Sequence, residues 1–207
     1  MPGPDELIDV VDDRGRPAGA RPRSVVHRDG LWHRVFHCLV VARRPAGPVV
    51  VLQHRSRTVG AFPGLLDLTV AGHVVSGEEP VDAVREAQEE MGLDLGPADL
   101  TPVGVRTTVF ESGEGGLDRE LTHVFFARDD RPLAHYRPDP FDVEDVVEVE
   151  PGALLGVFGT GAAAAALALR AGPRLVREAD LVPNRDYWVT LLVMAERFAA
   201  GEGPLAV

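Results

Sequence analysis

The sequence has little cysteine, no excess of positive charge and no long apolar run, and each shortage excludes a class of protein. One cysteine among 207 residues excludes an intramolecular disulfide and any cysteine-rich zinc or iron–sulfur site. Lys and Arg number 21 against 32 Asp and Glu, which gives a net charge of −11. Nucleic acid polymers are therefore not expected as partners, because binding their phosphates needs a basic patch.

Two further absences concern membranes and export. No apolar run approaches the ~18 residues of a membrane span. The first residues also lack the basic and then apolar regions of a signal peptide. Together with the single cysteine, these absences predict a cytoplasmic protein with no membrane segment.

What is present is the composition of an ordinary globular protein, with 45% apolar and 26% charged residues. The length predicts one domain over residues 1–207, with N-terminal strands in 5–30 and C-terminal helices in 160–200 as extensions of it. Cys38 lies in the apolar run 35–41 and is predicted to be a buried strand residue and not a nucleophile.

The pattern of apolar residues and turns predicts an α+β fold with a mixed sheet and about three helices. Strands are predicted at 10–11, 34–42, 49–53, 103–110, 121–127 and 143–149, and an apolar run covers 65–75. Helices are predicted at 80–91, 162–170 and 186–200. Pro80 suits the first turn of its helix, and Gly92 suits the left-handed position after its end.

The helix at 80–91 concentrates acidic residues on one face. Glu86, Glu89 and Glu90 are three or four residues apart, so their carboxylates gather opposite an apolar stripe. Such carboxylates repel one another, but Mg²⁺ prefers carboxylate oxygens, and its binding stabilises the arrangement. Arg85 is placed to hold a carboxylate with its fork of donors. The alternative is a solvated acidic face, and the glycine-containing turns at each end of the helix favour the cation site.

This segment resembles the signature of the Nudix hydrolases. Its first half is matched by Gly72, five intervening residues and Glu78. Its second half is matched by the segment Arg85-Glu86-Ala87-Gln88-Glu89-Glu90-Met91-Gly92-Leu93. Six residues separate the halves where the family pattern has seven. The resemblance implies an α/β/α sandwich, with Glu86, Glu89 and Glu90 as ligands of Mg²⁺ (or Mn²⁺) and with Arg85 in the same catalytic group. It also implies hydrolysis of a small-molecule diphosphate through a metal-activated water.

The resemblance extends to the isopentenyl-diphosphate isomerase-like branch over most of residues 5–200. The segments that carry it are 10–15, 27–36, Phe62-Pro63-Gly64 and Ala71-Gly72-His73. In the isomerases, residues at the positions of His33, His73, Asp118 and Glu120 bind a metal, and His27 matches a further ligand with its spacing off by one. Ala71 stands where the isomerases need a cysteine, and an alanine cannot transfer a proton. We therefore expect hydrolase chemistry on an isomerase-like scaffold. The alternatives are an isomerase that has replaced its cysteine and a non-catalytic module that binds a nucleotide.

Several single residues have two interpretations. Glu120 is a candidate metal ligand or base, with Glu111 and Glu114 as rivals. Arg55 contacts a substrate phosphate or belongs to a solvated turn. His33 and His73 assist a metal or phosphate, or are structural. Tyr187 and Trp188 are assigned to the core.

The excess of acidic over basic residues falls in two patches, of which the first is 72–93 and includes the helix just described. The other is 139–150, with six acids and no base, which we interpret as a solvated edge. The sequence names neither the diphosphate substrate nor the oligomeric state, and it is compatible with a homodimer.

Overall fold

The fold is built on one long central strand, with most of the other strands added around it. The computed structural model describes residues 6–111 and 117–207. Within these ranges the strands are β1 (Leu7–Val11), β2 (Pro17–Pro22), β3 (Trp32–Arg44), β4 (Gly47–Arg55), β5 (Leu66–Asp67), β6 (Val70–His73), β7 (Leu100–Glu111), β8 (Leu117–Arg128), β9 (Val143–Val149), β10 (Ala164–Ala168) and β11 (Gly172–Val176). The helices are α1 (Arg23–Asp29), α2 (Arg85–Met91), α3 (Pro151–Thr160) and α4 (Arg185–Ala200).

The sheet is mostly antiparallel and runs β11-β10-β9-β4-β3-β1-β2. Strand β3 also pairs with β6 and, in parallel, with β8, whose other neighbour is β7. The predicted α+β class with a mixed sheet is confirmed. Among the described residues, no helix combines the length and the apolar character needed to cross a bilayer.

The two faces of β3 pack against different helices, because successive strand residues point to opposite sides. Leu39 and Val41 join the apolar cluster that α3 and α4 cover. Cys38 and Val40 join the cluster that α2 covers. A sheet between two helical layers is the expected α/β/α sandwich. Cys38 is fully buried, as predicted, and burial raises the pKa of its thiol to about 12.

Three element predictions need correction. The alanines of 162–170 predict a helix, but residues 164–168 form β10 and pair with both β9 and β11. Alanine favours a helix over a strand, but the strand pairing on both sides outweighs this propensity here. Helices α1 and α3 were not predicted from the sequence. The helix expected from Pro80 starts with a short 3₁₀ turn at Asp82–Val84, and α2 begins at Arg85.

The acidic patch 139–150 is only partly the solvated edge that we expected. Asp145 is 4% exposed, and its carboxylate accepts hydrogen bonds from the backbone N–H groups of Arg170 and Ala171 at 2.9 and 3.0 Å. Glu148 is 7% exposed and pairs with Arg44, at 3.1 Å from its Nε. Asp145 thus anchors the backbone and Glu148 holds the side chain of Arg44, so the patch is in part structural.

Candidate active site

Helix α2 packs against β6 at a contact that only glycine permits. A Cβ built on Gly72 would lie 2.5 Å from Cγ and 2.8 Å from Cδ of Glu86. Glu86 is 2% exposed, so this side chain has no room to move away. Gly92 ends the helix with φ of 65°, the left-handed conformation expected at that position. The two glycines therefore fix where the carboxylates of α2 lie relative to the sheet.

Arg85 holds the acidic residues on both sides of it. Its Nε lies 2.8 Å from Oε1 of Glu78, and one terminal nitrogen lies 2.6 Å from Glu86 and 3.4 Å from Glu89. Glu78 therefore pairs with Arg85 although the sequence between them is one residue shorter than the family pattern. The 3₁₀ turn at Asp82–Val84, which advances fewer residues per turn than an α-helix, lies within this shortened stretch.

The α2 carboxylates differ in their surroundings. The Glu89 side chain is 46% exposed. Glu90 has a buried Oε2 that lacks a hydrogen-bond partner among the described residues, and burial followed by the charge of Glu86 raises its pKa well above the usual value. Burial also raises the pKa of Glu86 to about 6, against the lowering effect of Arg85. Glu86 and Glu90 are thus desolvated carboxylates whose charges interact, and carboxylate oxygens are the donors that Mg²⁺ prefers. The three α2 glutamates do not form one of the groups whose candidate ligand atoms all lie within 4.8 Å of one another in the described residues.

Three histidines from separate elements meet on the other face of β6. His27 comes from α1, His33 from β3 and His73 from β6, and candidate ligand atoms of the three lie within 4.8 Å of one another. The Nε2 atoms of His27 and His73 are 3.0 Å apart. Burial is the largest cause lowering the pKa of each histidine, which favours the neutral imidazole, the form that binds a metal.

His33 is oriented as a ligand would be. Its Nδ1 lies 3.0 Å from the carbonyl oxygen of Leu31 and therefore carries the proton, which leaves a lone pair on Nε2. That Nε2 is buried and has no hydrogen-bond partner among the described residues. A histidine fixed by one nitrogen and unpartnered at the other is the usual arrangement of a metal ligand.

Two carboxylates of β8 face the histidines. Asp118 and Glu120 lie on one face of the strand, and an oxygen of Asp118 is 3.7 Å from Nε2 of His33. His33, Asp118 and Glu120 form a second group whose candidate ligand atoms lie within 4.8 Å of one another. Burial and then the charge of Asp118 raise the pKa of Glu120 to about 8. The structure thus brings together His33, His73 and Glu120, which the sequence singled out separately.

Glu111, one rival of Glu120, does not join this group. Glu111 is exposed and follows Phe110 on β7, so its side chain projects from the opposite face to the one shared with Asp118. Glu114 lies outside the described residues.

Arg55 is not part of a solvated turn, because its side chain is 18% exposed and lies 3.1 Å from the carboxylate of Asp67. Its Nε donates to the carbonyl oxygen of Ala61 at 2.9 Å. A guanidinium held in this way is positioned close to Glu90, whose pKa its charge lowers.

One polar contact beside Ala71 was not predicted from the sequence. His37 pairs with Ala71 across β3 and β6, and its Nδ1 lies 3.0 Å from the hydroxyl of Tyr187 on α4. The guanidinium of Arg106 lies 3.9 Å from the centre of the Tyr187 ring. Trp188 and Tyr187 are buried in the core as predicted, but Tyr187 also has this polar role, and no local pattern signals a pair 150 positions apart.

Comparison with known proteins gives a consistent result. The family model described as the NUDIX domain matches residues 32–167. The chain is 33% identical over 146 residues to an uncharacterized Nudix hydrolase of Clostridium acetobutylicum, covering 70% of each protein. It is 33% identical over 192 residues to an isopentenyl-diphosphate Delta-isomerase of Agromyces mediolanus, covering 86% of this chain and 81% of the relative.

A solved structure supports the fold alone. A protein from Deinococcus radiodurans superposes with a TM-score of 0.55 at 24% identity, covering 75% of this chain and 90% of the other.

Proposed function

Because the chain belongs to the Nudix family, we propose that it hydrolyses a diphosphate bond in a nucleoside-diphosphate derivative or a related organic diphosphate, with bound Mg²⁺ or Mn²⁺. The observation that carries the proposal is the buried Oε2 of Glu90, which has no hydrogen-bond partner in the part of the chain that the structure describes, together with the desolvated carboxylate of Glu86. An isolated buried carboxylate is costly, and a divalent cation removes that cost.

Glu86, Glu89 and Glu90 are the proposed ligands on α2. Gly72 supports the assignment because it lets α2 approach β6, and Arg85 supports it by fixing the carboxylate of Glu86. When bound, the metal supplies an activated water and neutralises charge on the bridging oxygens. Arg85 itself is proposed as a positioning residue.

The substrate's phosphates need positive or donor groups that are already oriented. Arg55 is proposed for this role, since Asp67 and the carbonyl of Ala61 fix its guanidinium. His33 and His73 are proposed to assist at a phosphate or a metal. Glu120 has two candidate roles, a further ligand beside His33 and the base that takes the proton of the attacking water.

Phosphate release from a panel of organic diphosphates with Mg²⁺ tests the function. We expect Glu90→Gln to lower the rate at least tenfold, while Glu202→Gln, which changes a side chain 62% exposed near the C-terminus, keeps the wild-type rate. Equal rates in wild type and Glu90→Gln would refute the assignment of the site.

A second candidate function is isomerisation of isopentenyl diphosphate. It is favoured by the convergence of His27, His33 and His73 with Asp118 and Glu120, and by relatives named as isomerases. Ala71 counts against it, because a methyl group has no ionisable proton to transfer. Formation of dimethylallyl diphosphate from isopentenyl diphosphate, followed by NMR, would establish the isomerase and displace the hydrolase.

The third candidate, a non-catalytic nucleotide-binding module, predicts no need for a cation. Calorimetric titration with Mg²⁺ separates it from the enzyme, since saturable binding that Glu90→Gln weakens supports catalysis. We further propose that residues 1–207 form one domain, supported by the pairing of β1 with β3 and the packing of α4 on the core. A cytoplasmic location is also proposed, since the single buried Cys38 has no second cysteine in the chain with which to form a disulfide. A homodimer is proposed as well, and measurement of the molecular mass in solution tests it.

A further inference from the structure

The loop between β4 and β5 is held by side chains of β4. Nε of Arg55 donates to the carbonyl oxygen of Ala61 at 2.9 Å, and Nε2 of His54 lies 3.1 Å from the carbonyl oxygen of Gly64. The backbone N–H of Gly64 also donates to the carbonyl of Arg55 at 3.2 Å. The backbone on both sides of Phe62 is thus fixed to the strand.

Phe62 has an unusual backbone conformation within this fixed loop. Its φ is 49°, and within residues 6–111 and 117–207 it is the one residue other than glycine with a positive φ. Bulky side chains disfavour this region, and glycine or asparagine adopts it at lower cost. A phenylalanine kept in such a conformation indicates that the ring itself has a use there.

The Phe62 ring meets a second aromatic ring next to the candidate active site. The ring centres of Phe62 and Phe110 are 5.9 Å apart and their planes are tilted by 44°. Phe110 lies directly opposite Asp118 in the pairing of β7 with β8. Opposite residues of an antiparallel pair share one face, so Phe110 projects beside the carboxylate that faces His33.

The chemistry around these rings favours a flat, polar ligand group. Both rings are partly exposed, and the neighbours of Phe110 on its face of the sheet are polar, namely Asp118 and Thr108. An aliphatic chain laid over the rings would remove water from these polar groups without replacing its hydrogen bonds. A planar ring with polar edges stacks on an aromatic face and still bonds to its neighbours.

We propose that Phe62 and Phe110 are specificity-determining residues that stack on a planar, polar ring in the organic group of the substrate. The inference rests on the proposed function, since it assigns the part of a diphosphate substrate that lies outside the reacting phosphates. The observation that supports the inference is the position of the two rings beside Asp118.

Binding measurements test the inference without turnover. Calorimetric titrations with Mg²⁺ use the Glu90→Gln protein and two probes, ADP-ribose, which has a planar ring, and isopentenyl diphosphate, which is aliphatic. Further variants in that background are Phe110→Leu and Phe62→Asn, the latter chosen because asparagine tolerates a positive φ. Val109→Ala is the matched control, because Val109 is the neighbour of Phe110, is 54% exposed and points to the other face of β7.

We expect each Phe variant to weaken ADP-ribose binding roughly tenfold, the loss typical of one base–aromatic stack, and to leave isopentenyl diphosphate binding within about twofold. Val109→Ala should change neither. Equal loss for both probes, no loss for ADP-ribose, or no binding of ADP-ribose to the Glu90→Gln parent overturns the inference. A different result would refute the hydrolase proposal, namely the absence of phosphate release by the wild-type protein.

Discussion

Replacing Gly72 with alanine tests whether the close approach of α2 to β6 positions the carboxylates. The added Cβ would lie 2.5 Å from Cγ of Glu86, well inside van der Waals contact, and Glu86 is 2% exposed with its carboxylate bound by Arg85. The helix must therefore shift. Overpacking of this kind costs roughly 1–3 kcal/mol, which lowers the melting temperature of a chain of this size by about 2–12 °C.

The same shift should weaken the proposed metal site. We expect the apparent Mg²⁺ affinity of Gly72→Ala to fall on the order of tenfold, as when a group that orients a ligand is lost. Circular dichroism melts and Mg²⁺ titrations measure the two effects.

The matched control is Gly156→Ala in α3, where a Cβ would meet no atom within 4 Å. There alanine should stabilise the helix by roughly 0.5–1 kcal/mol, because it loses less backbone entropy than glycine on folding. A Gly72→Ala protein with wild-type melting temperature and wild-type Mg²⁺ affinity would refute the reasoning.

Three further predictions concern pH, Arg85 and Cys38. Glu120 has a folded-state pKa of about 8 against an ordinary 4.5, so between these values the folded metal-free protein keeps a proton that the unfolded chain has lost. Its unfolding free energy should therefore fall as pH rises from about 5 to 8, and Glu120→Gln should flatten that slope in melts at several pH values. Arg85→Lys should reduce Mg²⁺ affinity roughly tenfold, because lysine cannot bridge Glu78 and Glu86 with a rigid fork; an unchanged titration would argue against that positioning role. Cys38→Ser should lower stability by roughly 1–3 kcal/mol in denaturant titrations, because a hydroxyl costs more to bury than a thiol. Thiol-blocking reagents should leave the activity of the wild-type protein unchanged, since Cys38 is fully buried.

The parts of the molecule that are predictable from the sequence depend on short stretches of chain. The apolar stripe and the glycine after α2 are local signals, so the sequence alone predicts the helix and the grouping of its glutamates. The signature around Gly72 and Arg85 also carries the family and, through it, the α/β/α sandwich. The pairing of Glu78 with Arg85 is not predictable with the shortened spacing, because a 3₁₀ turn lies in the stretch between them.

The rest depends on contacts between distant segments. The approach of His27 to His73 joins residues 46 positions apart, and only a loose family match points to it. The positive φ of Phe62 cannot be predicted from the sequence, since its neighbours Pro63 and Gly64 are compatible with many types of turn. The helix prediction for β10 is wrong because alanine alone carries no periodic pattern, and the pairing with β9 and β11 decides the conformation.

The length of β3 has a consequence for how this protein can vary. His33, Leu39 and Val41 point to one side of the strand, and Cys38 and Val40 point to the other. Inserting or deleting a single residue between His33 and Cys38 would move one of these sets to the wrong side, separating the histidine from its partners or exposing part of the core. Changes in chain length are therefore tolerated at the ends of β3, in the turn to β4 or in the segment joining α1, and hardly anywhere within it.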